Sequence, residues 1–240
     1  MQITFASFTN LGPRTSNQDR LLEPEIKDGY CIAAIADGMG GAEGGAIAAE
    51  IAIHLTRILT ADPERMGDVF PIVVEHLRDI GVKDAALAKM GTTLSALMIK
   101  NGIVYTAHVG DTRIYHLRGL GLNTLTEDQT EVAELRRKGV LSESQARRHP
   151  RRNILSSALT SSGNYKVHYN RSRVEIGDRL LLVSDGVYQT ILKGAVINAS
   201  VRHASINGML DEIDRRVVAN GPTDNYSAIG IQIVELNNKA

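Results

Sequence analysis

Residues 92–125 read TTLSALMIKNGIVYTAHVGDTRIYHLRGLGLNTL, and this stretch decides the fold class. Asn101-Gly102 joins two apolar runs, and this dipeptide between such runs is a strong hairpin signal. Gly110-Asp111 and Gly119-Leu120-Gly121 mark two further short turns. Strands with such short connections must be antiparallel, because a parallel crossover needs a dozen or more residues. The stretch therefore predicts antiparallel strands and argues against a doubly wound parallel sheet.

The flanking sequence places helices in blocks between further strands. The spacing of apolar residues predicts helices at 46–59, 64–89, 130–138, 142–148 and 206–217, and strands at 2–8, 30–36, 179–184 and 227–234. Antiparallel strands with blocks of helices between them indicate an α+β layered fold. Because no repeat, low-complexity tract or linker interrupts the chain, we expect a single domain over residues 1–240.

Composition excludes several classes of protein. The chain has 240 residues, and its 27 Lys and Arg are balanced by 27 Asp and Glu, which argues against a nucleic-acid binder. One cysteine, Cys31, rules out an internal disulfide or a Cys-rich zinc module, and its place in an apolar run predicts an inert core residue. No leader pattern or bilayer-length apolar run occurs, so we expect no membrane association and a cytoplasmic location.

Charge is nevertheless distributed unevenly along the chain. Ten Lys or Arg residues and one acid, Glu143, lie between Arg136 and Arg173. Such a run is commonly a solvated basic surface. Alternatively, this segment and an acidic pole elsewhere serve one anionic ligand, with cations at the acidic pole. Composition leaves both interpretations open.

Aspartates recur where predicted strands begin or end. The five such residues are Asp19, Asp37, Asp111, Asp185 and Asp224. Each alone could be a turn or capping residue, and we expect Asp28 and Asp178 to be only that. If the strand ends converge, however, the carboxylates repel and raise one another's pKa, and hard divalent cations would relieve the conflict. An oxygen-only site of this kind favours Mg²⁺ or Mn²⁺.

The glycine-rich stretch 38–45 follows a strand and opens a helix, as a dinucleotide-binding fingerprint would. Glu43, however, stands where the third glycine of Gly-x-Gly-x-x-Gly is required, and no lysine completes a phosphate-binding loop. The antiparallel strands also conflict with the parallel topology of a dinucleotide-binding fold. A nucleotide-binding enzyme is therefore the weaker alternative.

Seven short motifs extend from residue 14 to residue 225. They are Arg14-x-x-Asn17-Gln18-Asp19, Asp37-Gly38-Met39-Gly40-Gly41, Gly91-Thr92-Thr93, Gly110-Asp111-Thr112-Arg113, Leu125-Thr126-Glu127-Asp128, Ser184-Asp185-Gly186 and Asp224-Asn225. Their order resembles that in the metal-dependent protein phosphatases (the PPM, or protein phosphatase 2C, family), particularly the compact bacterial serine/threonine phosphatases. The resemblance implies a four-layer α-β-β-α sandwich. It also implies hydrolysis of phosphoserine and phosphothreonine on proteins by a metal-activated water.

Carried over position by position, the resemblance implies two to three Mn²⁺ or Mg²⁺ ions per chain. The implied metal-binding residues are Asp19, Asp37, Gly38, Asp111, Asp185 and Asp224. Asp37 would bridge two ions, with the Gly38 carbonyl as a further ligand. Asp185 and Asp224 would complete the second ion's shell. Asp111 with Asp185 would hold a third ion, and Asp19 would act through metal-bound water.

The implied catalytic residues are Arg14, which would bind the substrate phosphate, together with Asp37 and Asp185. Two positions depart from the family pattern. Gln18 stands where many relatives have glutamate, and Met39 stands where eukaryotic members often place a histidine proposed as general acid. Leaving-group protonation would therefore fall to metal-bound water or to another group.

A segment at about 128–164 resembles the mobile flap of bacterial members, and we expect Arg151 and Arg152 to contact the phosphoprotein there. The expected partners are phosphorylated proteins and the Ser/Thr kinase that the enzyme opposes, with the chain itself a monomer. A catalytically silent phosphoprotein-binding domain is the main alternative, and a phosphatase for an anti-sigma-type partner is another. The intact set of five aspartates argues against a silent domain.

Overall fold

Two antiparallel sheets face each other in the computed structural model, which describes residues 1–236 except the side chains of Ala42 and Arg147. The strands are β1 (Gln2–Asn10), β2 (Asp19–Lys27), β3 (Tyr30–Met39), β4 (Gly91–Thr92), β5 (Leu94–Lys100), β6 (Ile103–Val109), β7 (Arg113–Arg118), β8 (Gly121–Thr124), β9 (Leu159–Thr160), β10 (His168–Arg173), β11 (Arg179–Val183) and β12 (Tyr226–Glu235). One sheet has the order β1-β12-β11-β7-β8. The other has the order β10-β6-β5-β3-β4-β9, and β2 also pairs with β3. The last four residues of the expected domain, 237–240, lie outside the described residues.

Seven α-helices are described within residues 1–236. They are α1 (Ala42–Leu59), α2 (Val69–Lys83), α3 (Glu131–Arg137), α4 (Glu143–Arg148), α5 (Asp185–Tyr188), α6 (Lys193–Arg202) and α7 (Ile206–Asn220), and two 3₁₀ helices span Pro63–Asp68 and Ala85–Leu87. The sequence predicted most of these but missed α5 and α6. It also placed the start of α1 four residues late, because Gly44 and Gly45 are weak helix formers in isolation. Within residues 1–236, no helix is both long enough and apolar enough to span a bilayer.

Alternation along the strands separates the core into three layers of side chains. Cys31 and Ile35 of β3 pack between the sheets with Leu180 of β11 and the isoleucines of β12. The opposite face of β3, including Ala34, packs under α1 and α2, while α6 and α7 cover the outer face of the other sheet. This arrangement confirms the four-layer α-β-β-α prediction. Cys31 is fully buried, and burial raises the pKa of its thiol to about 12.

Local sequence accounts for the two tightest hairpins. Asp28-Gly29 joins β2 to β3 with φ of 41° and 85°, and Asn101-Gly102 joins β5 to β6 with φ of 51° and 71°. These are the left-handed conformations that glycine, asparagine and aspartate tolerate and that two-residue hairpins require. Both turns were predicted from the sequence and are confirmed.

The turn at Gly110-Asp111 departs from the hairpin pattern. β6 and β7 flank it, yet they belong to different sheets and do not pair. The Gly110 N–H donates to Gln129 Oε1, and its carbonyl accepts from the Gln129 N–H, so residue 129 replaces a strand partner. The chain thus crosses from one sheet to the other at Asp111, which places this aspartate at the end of the sandwich.

Asp178 lies in the turn before β11, as the sequence predicted, and its carboxylate also holds a neighbouring strand. Its carboxylate accepts from Arg118 Nε at 2.8 Å and Nη2 at 2.7 Å, lies 2.8 Å from His116 Nε2, and accepts from the Glu175 N–H. Burial raises the pKa of Asp178, but the hydrogen bonds from Arg118 and Glu175 outweigh burial and hold it below its usual value. The carboxylate therefore fastens β7 to the turn before β11.

We expect Asp178→Asn to lower the free energy of unfolding by about 2 kcal/mol, because it removes the buried charge that pairs with Arg118 Nε and Nη2 and leaves Arg118 with its exposed ion pair to Glu175. The melting temperature should fall by roughly 4–8 °C. Since the folded-state pKa lies below the unfolded one, this contribution is present at neutral pH and is lost as pH falls below about 4. The matched control is Asp28→Asn at φ 41°, where asparagine fits and stability should not change. Equal melting temperatures for the two variants would contradict the assignment.

Candidate metal centre

The structure brings together the five aspartates that the sequence singled out. Asp19 opens β2 and is the register partner of Asp37 near the end of β3. Asp111 lies at the crossing between the sheets, Asp185 begins α5 directly after β11, and Asp224 precedes β12. All five positions lie at one end of the sandwich, where the strands next to them begin or end.

The electrostatics of the group show that the carboxylates are close neighbours. Loss of hydration raises the pKa of Asp37 well above its usual value, and the charges of Asp19, Asp185, Asp111 and Asp224 raise it further. Burial likewise raises the pKa of Asp185 strongly, with added repulsion from Asp111, Asp224 and Asp19. Such a concentration of negative charge is costly without bound cations.

Asp19 is the most revealing member of the set. Its Oδ2 accepts from Ser184 Oγ at 2.8 Å and from Ser227 Oγ at 2.7 Å. Its Oδ1 is buried and has no hydrogen-bond partner among the described residues. Burial raises its pKa to about 6 even though the two serines oppose the shift. A buried carboxylate oxygen without a partner is energetically unfavourable, and a cation or its water would satisfy it.

The donor set fits a hard cation that keeps part of its hydration shell. Among the side chains described in residues 1–236, no three His, Cys, Asp or Glu groups come close enough to enclose an ion by themselves. Mg²⁺ is commonly bound through one or two carboxylates and several waters, and Mn²⁺ also prefers oxygen ligands. Carboxylates spaced around a partly hydrated ion are therefore compatible with this geometry.

Tyr188 and Gln189, which the sequence analysis did not identify, hold two of the aspartates. Tyr188 Oη donates to Asp111 Oδ2 at 3.0 Å, and burial raises the Tyr188 pKa well above its usual value, so the phenol keeps its proton. Gln189 Nε2 donates to Asp185 Oδ2 at 2.8 Å and lies 3.3 Å from Asn153 Oδ1. Only Val187 separates these two residues from Ser184-Asp185-Gly186, and this closeness to the motif was the only signal in the sequence.

The backbone at Asp37 is held by the Gly91-Thr92-Thr93 motif. The Asp37 N–H donates to Thr93 Oγ1 at 2.9 Å. The Asp37 carbonyl accepts from the Thr93 N–H at 2.9 Å and from Thr92 Oγ1 at 3.1 Å. Both threonines are buried. This motif therefore fixes the position of Asp37, and its threonines have no visible role as ligands.

Arg14 lies beside the cluster, in contact with Asp224. Its Nη2 donates to Asp224 Oδ2 at 2.6 Å, and its side chain remains half exposed. Asn225 holds the loop that carries Arg14, since its Nδ2 donates to the Leu11 and Ser16 carbonyls. A guanidinium has five donors, so Arg14 can retain Asp224 and still offer a fork to an anion.

Comparison with known proteins identifies the family. The sequence profile described as protein phosphatase 2C matches residues 11–220. The chain belongs to the protein phosphatase 2C family. Two curated relatives agree with this assignment. Protein phosphatase PhpP of Streptococcus pneumoniae is 34% identical over 74% of this chain and 76% of its own length. Serine/threonine phosphatase stp of Listeria welshimeri is 31% identical over 91% of each chain.

A solved structure shows the same fold. The catalytic domain of the serine/threonine protein phosphatase PstP, in complex with 2 manganese ions, superposes with a TM-score of 0.84 at 23% identity and covers 97% of this chain and 99% of that one. Together with the curated relatives, this makes the present chain a hydrolase, a serine/threonine protein phosphatase of the bacterial type.

The glycine-rich stretch of this phosphatase packs backbone against backbone. A Cβ on Gly38 would lie 2.0 Å from the Gly45 carbonyl oxygen, and one on Gly45 would lie 2.8 Å from the Gly38 carbonyl carbon. Gln18, which stands where many relatives have glutamate, donates from Nε2 to the Gly41 carbonyl at 2.7 Å. Its side chain therefore stabilises the glycine-rich turn between β3 and α1. The glycines thus allow α1 to begin against the end of β3, next to Asp37.

In the segment predicted as a flap, the two arginines have different environments. Arg151 donates to both carboxylate oxygens of Glu131, at 2.8 and 2.7 Å, on the surface. Arg152 is exposed, as are the other basic residues of the segment 136–173 whose side chains are described. Where the segment begins, Arg113 forms a two-pronged pair with Asp128 and stacks on the Tyr188 ring at 3.6 Å.

Proposed function

We propose that this phosphatase is metal-dependent and that Asp19, Asp37, Asp111, Asp185, Asp224 and the Gly38 carbonyl hold two or three Mn²⁺ or Mg²⁺ ions. The observation that carries the proposal is the buried, unpartnered Oδ1 of Asp19 within a cluster of five carboxylates. The two manganese ions of PstP support it. The same cluster disfavours a silent phosphoprotein-binding domain, because such a domain does not need metal ions and the repulsion between the carboxylates would only destabilise it.

When bound, such cations would lower the pKa of a water molecule and offset the charge of the phosphoryl group that it attacks. The chain's own residues position the reactants. Arg14 would donate two hydrogen bonds to the phosphoryl oxygens while Asp224 keeps its guanidinium at the site. Tyr188 and Gln189 keep Asp111 and Asp185 oriented toward the centre. Met39 cannot donate a proton, so the proton for the leaving serine or threonine oxygen comes from water or from another group.

A direct test is phosphate release from a phosphothreonine peptide by the purified chain, first with Mn²⁺ and then with excess chelator. We expect release with Mn²⁺, loss of release with chelator, and recovery when Mn²⁺ is returned in excess. Chelator-resistant release of equal rate would refute the metal proposal while leaving the phosphatase assignment intact.

The proposed activity also has consequences for the protein's substrates, its oligomeric state and its location in the cell. We infer that the substrates are phosphoserine- and phosphothreonine-containing proteins modified by a Ser/Thr kinase, and that the kinase itself is one of them. We further infer that the enzyme works as a monomer in the cytoplasm. The exposed basic surface of the segment 136–173 supports a phosphorylated, and hence anionic, partner.

We propose that Arg151 and Arg152 contact the phosphoprotein, and we expect Arg152→Ala to raise KM for a phosphoprotein about three-fold. Arg151→Ala should have the smaller effect, because Glu131 already pairs with this guanidinium. Neither variant should change KM for p-nitrophenyl phosphate, which is too small to reach the segment. The control is Arg65→Ala, which removes an exposed, ion-paired arginine elsewhere. Equal changes for both substrates would contradict a role in protein recognition.

A further inference from the structure

An open groove runs along one side of the sandwich, where the two sheets present their edge strands. β1 pairs only with β12, and β2 pairs only with β3, among the described strands. Between them lies a cavity of about 470 Å³. Its two walls carry Phe5, Ser7 and Thr9 of β1 and Asp19, Leu21 and Glu23 of β2. These six side chains face the same side because they alternate along their strands. We call these six residues the seam groove. Asn17, Arg20, Pro24, Glu25 and Arg57 complete the lining of the cavity.

The inner end of the seam groove reaches the metal centre at Asp19. Asp19 lines the groove and is one of the five clustered aspartates. Beside it, Asn17 Nδ2 donates to Thr9 Oγ1 at 2.8 Å and joins the two walls. The groove therefore starts beside the clustered aspartates and runs outward between β1 and β2.

The outer end of the seam groove has an acidic group that lacks a cation. Glu23 Oε1 accepts from Ser7 Oγ at 2.5 Å, and no Lys, Arg or His pairs with Glu23 among the described side chains. Two basic residues, Arg20 and Arg57, also line the cavity, and each is already paired, Arg20 with Glu50 and Arg57 with Glu25. Glu23 thus remains available to a positively charged ligand.

We propose that the seam groove binds an extended segment of the substrate phosphoprotein and that Glu23 selects a Lys or Arg about four residues from the phosphorylated side chain. The proposal rests on the proposed function at the same centre. Four strand residues separate Asp19 from Glu23, which is about 13 Å, and an extended peptide covers that length with four residues. The unpaired edges of β1 and β2 offer backbone hydrogen bonds to such a segment. Phe5, 41% exposed, offers it an apolar contact.

The test uses three phosphothreonine peptides that are identical except at two positions. One has alanine at the positions four residues before and four residues after the phosphothreonine, and each of the others has lysine at one of these. We expect one lysine peptide to show a KM roughly two- to five-fold below that of the alanine peptide. Glu23→Gln should remove this preference, and Glu23→Lys should reverse it. Glu64→Gln, at an exposed glutamate outside the groove, should preserve it.

Salt supplies a check that needs no variant. Raising ionic strength from 0.05 to 0.5 M should abolish the lysine preference of the wild type, since exposed pairs are screened. Equal KM for all three peptides, or a preference that survives in Glu23→Gln, would overturn the groove proposal while the phosphatase proposal stands. Phosphate release from none of the peptides would instead refute the proposed function and the groove with it.

Discussion

Replacing Asp37 with asparagine is expected to suppress phosphate release at least about 10³-fold and, at the same time, to stabilise the metal-free protein. The loss follows because Asp37 is surrounded by the other four carboxylates, so its charge is central to holding any cation there. The gain follows because one of five repelling charges has been removed. Without metal, in the presence of chelator, we expect Asp37→Asn to melt roughly 3–6 °C above the wild type. Addition of Mn²⁺ should raise the melting temperature of the wild type but not that of Asp37→Asn.

The pH dependence of this gain has a definite sign. The folded-state pKa of Asp37 lies above its unfolded value, so the folded state binds more protons and stability falls as pH rises above about 4. The difference in melting temperature between Asp37→Asn and wild type should therefore grow as pH rises from 4. The control is Asp79→Asn on the exposed face of α2, which should change neither activity nor stability. An Asp37→Asn protein with normal phosphate release, or with an unchanged chelated melting temperature, would reject the charge-cluster account.

Replacing Gly38 with alanine is expected to damage both stability and activity without altering any side-chain ligand. The added Cβ would lie 2.0 Å from the oxygen and 2.4 Å from the carbon of the Gly45 carbonyl. Because both atoms are backbone, the first turn of α1 must move away from β3. We expect a loss of about 3 kcal/mol in the free energy of unfolding and a fall of roughly 6–12 °C in melting temperature.

Activity should fall about 10²-fold in Gly38→Ala, since a displacement near 1 Å beside Asp37 disturbs the position of the reactants. Circular dichroism and phosphate release measure the two effects separately. The matched control is Gly194→Ala in α6, where no atom lies within 4 Å of the new Cβ. That substitution should stabilise the protein by about 0.5–1 kcal/mol. Equal melting temperatures for Gly38→Ala and wild type would show that the contact with Gly45 is not tight.

Local conformation and the order of motifs could be determined from the sequence alone. Asn101-Gly102 and Asp28-Gly29 predict hairpins because the backbone preferences of a dipeptide act over a few bonds. The apolar run at 30–36 and the alternating isoleucines of 227–234 predict strands for the same reason. The seven motifs indicated the family, its sandwich and the five aspartates, since the residue types and their order were sufficient for that inference.

Only the tertiary structure decided which groups surround those aspartates. The hydrogen bonds from Ser184 and Ser227 to Asp19 join residues 165 and 208 positions apart. The crossing at Gly110-Asp111, the network around Asp178 and the groove between β1 and β2 depend likewise on how two sheets stack. Strand periodicity shows which face of a strand is apolar, but it does not show which sheet the strand joins or what lies opposite. Those contacts arise from the packing of the whole chain, because the free energy that selects them comes from burying both sheets and their helices together.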